Sequence, residues 1–253
     1  MQRAVASRQH GDSRRPLRRP NLNSDASDAI RDAILSGELK PGDQIYENAW
    51  ADRLSVSRTP VKIALVQLAE DGLVDLVPRK GAFVRGFSAT DLRELYQVRE
   101  SMEVLAVRLA AERADKDWLA EMHDINNELL EISEKHHGHV HRFNGDTSAY
   151  DRVCELDTGF HDRLVLASGN RLLERIMSKS HMQLYSIRWD PLYSDDVEVG
   201  PTAVEHESIM RALEARRPDE AEAVLRAHMA RVTQQIERII ENGLPVSGNS
   251  EGR

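Results

Sequence analysis

The stretch Leu54-Ser55-Val56-Ser57-Arg58-Thr59-Pro60-Val61-Lys62 constrains this chain more than any other, because it reads as a tight turn running into a helix with a polar first turn. Upstream, Glu47 to Leu54 is a short amphipathic segment with Ala49, Trp50, Ala51 and Leu54 on its apolar side. Ser55-Val56-Ser57 breaks it. A second helix then starts with Ser57 or Arg58 near its N-cap and Pro60 in its first turn, where a missing N–H costs little. Val61, Ala64, Leu65 and Leu68 continue it with the i, i+3, i+4, i+7 spacing of a one-sided apolar stripe, and Asp71-Gly72 ends it. Helix, tight turn, helix is the result. Ser57, Arg58, Thr59 and Lys62 then suit a helix N-terminus in a DNA major groove, where hydroxyls and amides hold phosphates and long cations reach base edges.

Two short strands around a basic tip come next in the chain. Leu73 to Val77 alternates like a strand, Pro78-Arg79-Lys80-Gly81 is a turn, and Ala82 to Arg85 reads as the returning strand, so Arg79, Lys80 and Gly81 form the tip of a wing. The run Glu47, Ala51, Leu54, Val56-Ser57-Arg58-Thr59-Pro60-Val61, Ala64-Leu65, Leu68, Asp71-Gly72-Leu73, Pro78, Gly81 and Phe83-Val84 resembles the GntR family of bacterial transcription regulators. The resemblance implies a winged helix-turn-helix that binds operator DNA. One departure is local: the family usually has Arg-Glu where this chain has Lys62-Ile63. Lysine lacks the bidentate fork that reads guanine, so operator preference at that base is expected to shift or relax.

The chain has 253 residues, enough for two domains, and a net charge of −8 that is unevenly spread. Residues 1–87 hold 14 Lys and Arg against 11 Asp and Glu, leaving +3 there and −11 on residues 88–253. The positive part is the one expected to meet phosphate. Residues 1–22 are arginine-rich without apolar periodicity and read as a disordered basic arm, either an electrostatic DNA contact or an inert extension. The expected division is the arm, a winged domain over 23–87, a helical domain over 88–243 and a disordered tail over 244–253. No run of about 18 apolar residues exists, so no membrane span is expected. The single cysteine, Cys154, excludes an internal disulfide and fits a reducing cytoplasm.

From residue 88 the periodicity predicts helices at about 89–114, 116–135, 148–168, 170–189, 202–216 and 218–242, with Ser88 and Asp91 capping the first and no convincing strand. The expected fold is therefore mainly α, an N-terminal winged helix-turn-helix followed by an antiparallel helical bundle. The opening helix, Leu92 to Ala111, resembles that of the FCD domain, the ligand-binding domain of the FadR subfamily of GntR regulators. Arg99 and Glu103 lie four apart on one face. By that resemblance they belong to an effector cavity; taken alone they are an ordinary surface ion pair.

Asp157 and His161 also lie four apart, so a carboxylate and an imidazole can meet one ion. With His206 and His228 from two further helices they make a donor set for a divalent transition metal of the zinc, nickel or manganese class. In the FCD domain this Asp-x-x-x-His, His, His set is a metal site, and all four positions match. Read singly, each is a polar residue with a bland role. Asn170 is expected to cap a helix, the histidines at 136, 137, 139 and 141 to sit in a solvated loop, and Arg188 and Trp189 to end a helix beside the acidic loop at 195–198.

The expectation is a cytoplasmic homodimeric regulator of an inverted-repeat operator, most commonly a repressor, that responds to a small organic or sugar acid held by the metal and Arg99. Two rivals remain: a metal-dependent enzyme with Glu205 or Glu207 as base, and a regulator that senses the ion itself.

Overall fold

The structure is a computed structural model that describes residues 22–113, 115–141, 147–187 and 196–241. Residues 1–21, the C-terminal tail, Arg188, Trp189 and Asp195 lie outside the described residues, while the rest of the expected acidic loop, 196–198, is a strand.

The N-terminal part is built from α1 (Leu22–Leu35), β1 (Gln44–Ile45), α2 (Glu47–Leu54), α3 (Arg58–Glu70), β2 (Val74–Val77) and β3 (Gly81–Val84). Its core draws Ile30, Ile34, Trp50, Val61, Leu65, Leu68 and Leu73 from the stripes that the sequence shows. Ser55 ends α2 in the left-handed region, φ 54°. Its N–H bonds to the Asp52 carbonyl and that of Val56 to the Ala51 carbonyl, a Schellman closure that turns the chain from α2 into α3. Antiparallel pairing orders the small sheet β1-β3-β2, with Val77 opposite Gly81 at the wing tip. The short β1, which pairs Gln44 with Phe83, carries no alternation signal and was not foreseen.

The C-terminal part holds α4 (Ala89–Arg113), α5 (Lys116–Lys135), β4 (His139–His141), α6 (Ser148–Ala167), α7 (Arg171–Ile187), β5 (Asp196–Glu198), α8 (Val199–Glu214) and α9 (Pro218–Glu241). The helices form the expected bundle around Ala106, Val107, Met122, Phe160, Leu164, Met177, Ile209, Leu225 and Met229. The absence of strands was a wrong expectation: β4 and β5 pair antiparallel, Val140 opposite Val197. His139 and His141 therefore lie on a strand and not in a loop, while Val140 is buried against Leu129, Tyr150 and Val199. Three-residue strands are too short for alternation to register. Asn170 caps α7 through its Oδ1, which accepts from the Leu172 and Leu173 N–H groups.

The junction between the two parts is tightly specified. Asp91 Oδ2 accepts from the Ser88 N–H at 2.8 Å, and Ser88 Oγ accepts from the Asp91 N–H at 3.1 Å, a reciprocal capping box at the start of α4. Phe87 just outside the box and Leu92 inside it are both buried in the bundle core, the hydrophobic staple that fixes the entry angle of the chain. At the far side, α7 touches the end of α3: Gln183 Nε2 donates to the Asp71 carbonyl at 3.0 Å and Lys179 Nζ lies 2.9 Å from the Asp71 carboxylate. Gly72, at φ +76°, leaves room for that contact, since a Cβ there would sit 2.1 Å from Gln183 Nε2.

Replacing the cap carboxylate, Asp91→Ala, is expected to lower unfolding stability by about 1 kcal/mol, the usual worth of an N-terminal cap. Urea unfolding followed by circular dichroism checks it; an unchanged midpoint shows that the box contributes nothing.

Candidate metal centre and DNA-reading surface

Four side chains from three helices converge inside the bundle. Asp157 and His161 come from successive turns of α6, His206 from α8 and His228 from α9, and one ligand atom of each lies within 4.8 Å of the others. The three imidazole centroids are 5.1 to 5.3 Å apart. Asp157 Oδ1 stands 3.9 Å from His161 Nε2 and 3.7 Å from His206 Nε2.

The bonding around these rings leaves one direction unfilled. Glu103 takes His161 Nδ1 at 2.6 Å, and Glu205 takes His228 Nδ1 at 2.7 Å, so each ring keeps Nε2 for the centre. His161 Nε2 and both ring nitrogens of His206 are buried with no hydrogen-bond partner. Unpaired buried polar atoms are costly, and a cluster of them facing a common point is what a metal ion relieves. Burial holds the imidazoles of His161 and His206 below their ordinary range, the more so for His206, whose neighbours His228 and His161 also disfavour its charge. Burial thus favours the neutral form of both rings, the form that ligates. Phe160 stacks on the His206 ring at 3.7 Å with the planes 3° apart, which fixes its orientation without using a nitrogen. The donor set of three imidazoles and a carboxylate fits a borderline divalent ion.

Arg99 and Glu103 are not a surface pair. Both are buried, and Arg99 Nε donates to Glu103 Oε1 at 2.6 Å, while the other Glu103 oxygen holds His161. Burial opposes the charge on Arg99, but Glu103, with Tyr96 and Asp157, more than offsets it and holds the guanidinium above its ordinary value. Sequence reading missed the matching support of His228. Burial would raise the Glu205 carboxyl, but His228 and Arg231 bring it down to about 2, and both of its oxygens are engaged by those two residues. Glu207 pairs with Arg211 and lies beside His123. Neither glutamate is placed to act as the base of an enzyme.

The residues expected to meet DNA lie on the N-terminal part, on α3 and at the wing tip. Ser57 is the N-cap of α3 in extended conformation. Arg58, Thr59 and Lys62 are exposed on α3, and Arg79, Lys80 and Gly81 are exposed at the wing tip, with Arg79 at φ 65°. Gln44 Nε2 donates to the Lys80 carbonyl at 2.8 Å and braces the tip against β1. A groove of about 650 Å³ runs between helix and wing, lined by Lys62, Val66, Leu76, Arg79 and Lys80 among others. Glu47 also lines it: its carboxylate lies 2.9 Å from Arg58 and 3.7 Å from Lys62. Eleven residues separate Glu47 from Arg58, across the turn, so their spacing in the chain carries no hint of this pair. Residues 22–87 alone carry eight Lys and Arg against ten Asp and Glu, so the surplus of positive charge belongs to the arm and the reading surface is basic only locally.

Comparison with known proteins agrees with both halves. Residues 22–84 match the bacterial regulatory proteins of the gntR family, and residues 94–231 match the FCD domain. The chain is 32% identical over 210 residues to the Nta operon transcriptional regulator of Aminobacter aminovorans, covering 83% of this chain and 92% of that one. It is 30% identical to the "Probable D-xylose utilization operon transcriptional repressor" of Paenarthrobacter nicotinovorans, covering 85% and 88%. Among solved structures, a GntR transcriptional regulator from Rhodococcus sp. RHA1 shares the fold at a TM-score of 0.67 and 24% identity, over 85% of this chain and 97% of that one.

Removing an imidazole, His206→Ala, is expected to abolish tight binding of zinc or nickel. Glu103→Gln, which keeps all four ligands but weakens the hold on His161, is expected to reduce affinity about 10- to 100-fold. Competition with a chromophoric chelator measures both; wild-type affinity in His206→Ala removes the site.

Proposed function

The chain belongs to the GntR family of bacterial transcriptional regulators, in the branch that carries an FCD domain, and from that premise we propose that it is a cytoplasmic homodimeric repressor controlled by a small organic or sugar acid. Its relatives are named as regulators, and it is a DNA-binding protein and not an enzyme. In this reading residues 23–87 bind the operator, residues 88–243 bind effector and metal and form the dimer, and two reading helices address an inverted repeat.

One observation carries the effector reading: Glu103 joins Arg99 directly to the metal ligand His161. A bound divalent ion supplies an electrophilic position that accepts a ligand carboxylate or water. Asp157 is the ligand with solvent access, its side chain 35% exposed, whereas the three histidines are sealed. An acid therefore enters past Asp157. The guanidinium of Arg99 has five N–H donors, of which Nε–H goes to Glu103, and its forked end receives a carboxylate. Glu103 acts as a positioning residue that keeps the anion partner and the metal ligand in one rigid group.

The signal then has two short routes to the DNA surface. Arg99 sits on α4, which begins at the capping box four residues beyond β3. Helix α7 packs through Leu173 and Met177 in the bundle core, while Met182, Lys179 and Gln183 meet the winged part at Asp71. An acid that favours one placement of these helices shifts the spacing of two reading helices and changes operator affinity by the same coupling free energy.

A thermal-shift screen of organic and sugar acids, with metal and after chelation, tests the reading. An effector at 100 times its Kd is expected to stabilise the metal-loaded protein by about 2.7 kcal/mol and the chelated protein or Arg99→Ala little. Equal shifts in all three overturn it. Paired substitution Lys179→Ala with Gln183→Ala is expected to leave effector affinity intact and to reduce the effector's influence on operator binding about fivefold or more; an unaltered response in a DNA-binding titration shows that α7 is not a route.

A further inference from the structure

Helix α3 buries Pro60, Val61, Ala64, Leu65 and Leu68, and the face opposite them is not the cationic one. At 100° per residue, Thr59, Ile63 and Val66 fall within a sector of about 60° centred on the outward direction. Arg58 and Lys62 lie to one side of that line and Gln67 to the other. Ile63 is 45% exposed and Val66 is 49% exposed. The apolar surface continues onto the wing, where Leu76 is 47% exposed and shares the helix–wing groove with Val66. Single exposed aliphatics are ordinary, but three β-branched side chains in one line, flanked by Arg58 and Lys62 on one side and Gln67 on the other and followed by Glu70 at the end of the helix, are a patch with a direction.

In the major groove only one base presents an apolar group, the C5-methyl of thymine. We propose that Ile63, with Thr59 and Val66 on the same line, reads thymine methyl groups and so sets a preference for A·T pairs beneath the reading helix. This rests on α3 being the helix that enters the groove. Ile63 lies in the second turn of α3, within the N-terminal part of a reading helix that reaches base edges, whereas Val66 and Leu76 stand further back, over the groove wall. Water leaves both partners when the side chain meets the methyl, so the contact adds affinity without a hydrogen bond and is lost wherever the base lacks that methyl. A glutamate at this position, the usual family residue, offers an acceptor to cytosine N4 instead.

Uracil in place of thymine removes the methyl and keeps the base pair, which makes the test direct. Sites are first selected from a random duplex pool with the full-length wild-type protein, and each thymine is then replaced singly by uracil. Binding by fluorescence anisotropy is expected to weaken about fourfold at one or two positions per half-site, the worth of one buried methyl-sized group. Ile63→Ala should bind the thymine and uracil duplexes equally at those positions, with a melting temperature matching wild type, and Ile63→Val should keep part of the preference. Wild-type protein indifferent to every uracil, or Ile63→Ala that retains the full thymine preference, overturns the proposal. Arg58→Ala separates the two levels: if it loses operator binding while wild type ignores uracil, only methyl reading fails, whereas wild-type affinity in Arg58→Ala means that α3 is not the reading helix.

Discussion

A carboxylate with no exposure, Glu103, is the interaction on which the interior of the bundle depends. Charge taken out of water is tolerated only when it is paired and hydrogen-bonded. Here one oxygen receives Arg99 and the other receives His161, each at 2.6 Å. Removal of Arg99 would strand the Glu103 charge in the core, and removal of His161 would leave one of its oxygens without that hydrogen bond. The pairing also decides chemistry. By occupying Nδ1 of His161, Glu103 leaves Nε2 as the nitrogen that would face a metal, and Glu205 does the same for His228. His206 receives no such support and is held by stacking on Phe160 instead, so two ligands are oriented electrostatically and one by packing.

The same economy of contacts joins the two parts of the chain. Phe87 anchors in the bundle core two residues after Arg85, whose N–H is bonded to the Leu73 carbonyl of the winged part. The connection therefore has almost no slack. With α4 clamped at one side and α7 resting on Asp71 at the other, the proposed effector response has two contacts through which to act on α3. Packed elements shift between discrete arrangements and do not deform continuously, which is why a sub-ångström change at an effector site can reach DNA.

Helix positions were legible because they depend on local signals. Residues 47–54, 58–70 and 116–135 were bounded correctly from apolar spacing, caps and breakers alone. The four candidate metal ligands were legible by resemblance, and the structure does bring them together. What escaped was non-local. The pairing of β4 with β5 joins segments some 57 residues apart and three residues long, and Glu47 meets Arg58 only because the turn folds α2 onto α3. Glu205 is read from the sequence only as the possible base of a rival enzyme, and Arg231 carries no signal; nothing in their spacing shows that they meet at His228.

The reading surface shows why net charge is a poor guide to DNA binding. Taken without the arm, the winged part is slightly acidic, so its long-range field does not draw phosphate toward it. Its cations act at contact range, gathered around one groove by α3 and the wing, and Glu47 is already seated between two of them. A phosphate or base edge that engages Arg58 has to displace that carboxylate. Weak, sequence-blind contacts gain little from the exchange, while a site that offers several good contacts at once recovers the loss. If α3 reads the operator, Glu47 would raise the contrast between operator and bulk DNA, and any non-specific attraction would have to come from charge outside the folded surface, of which the arginines of residues 1–22 are one source in the sequence.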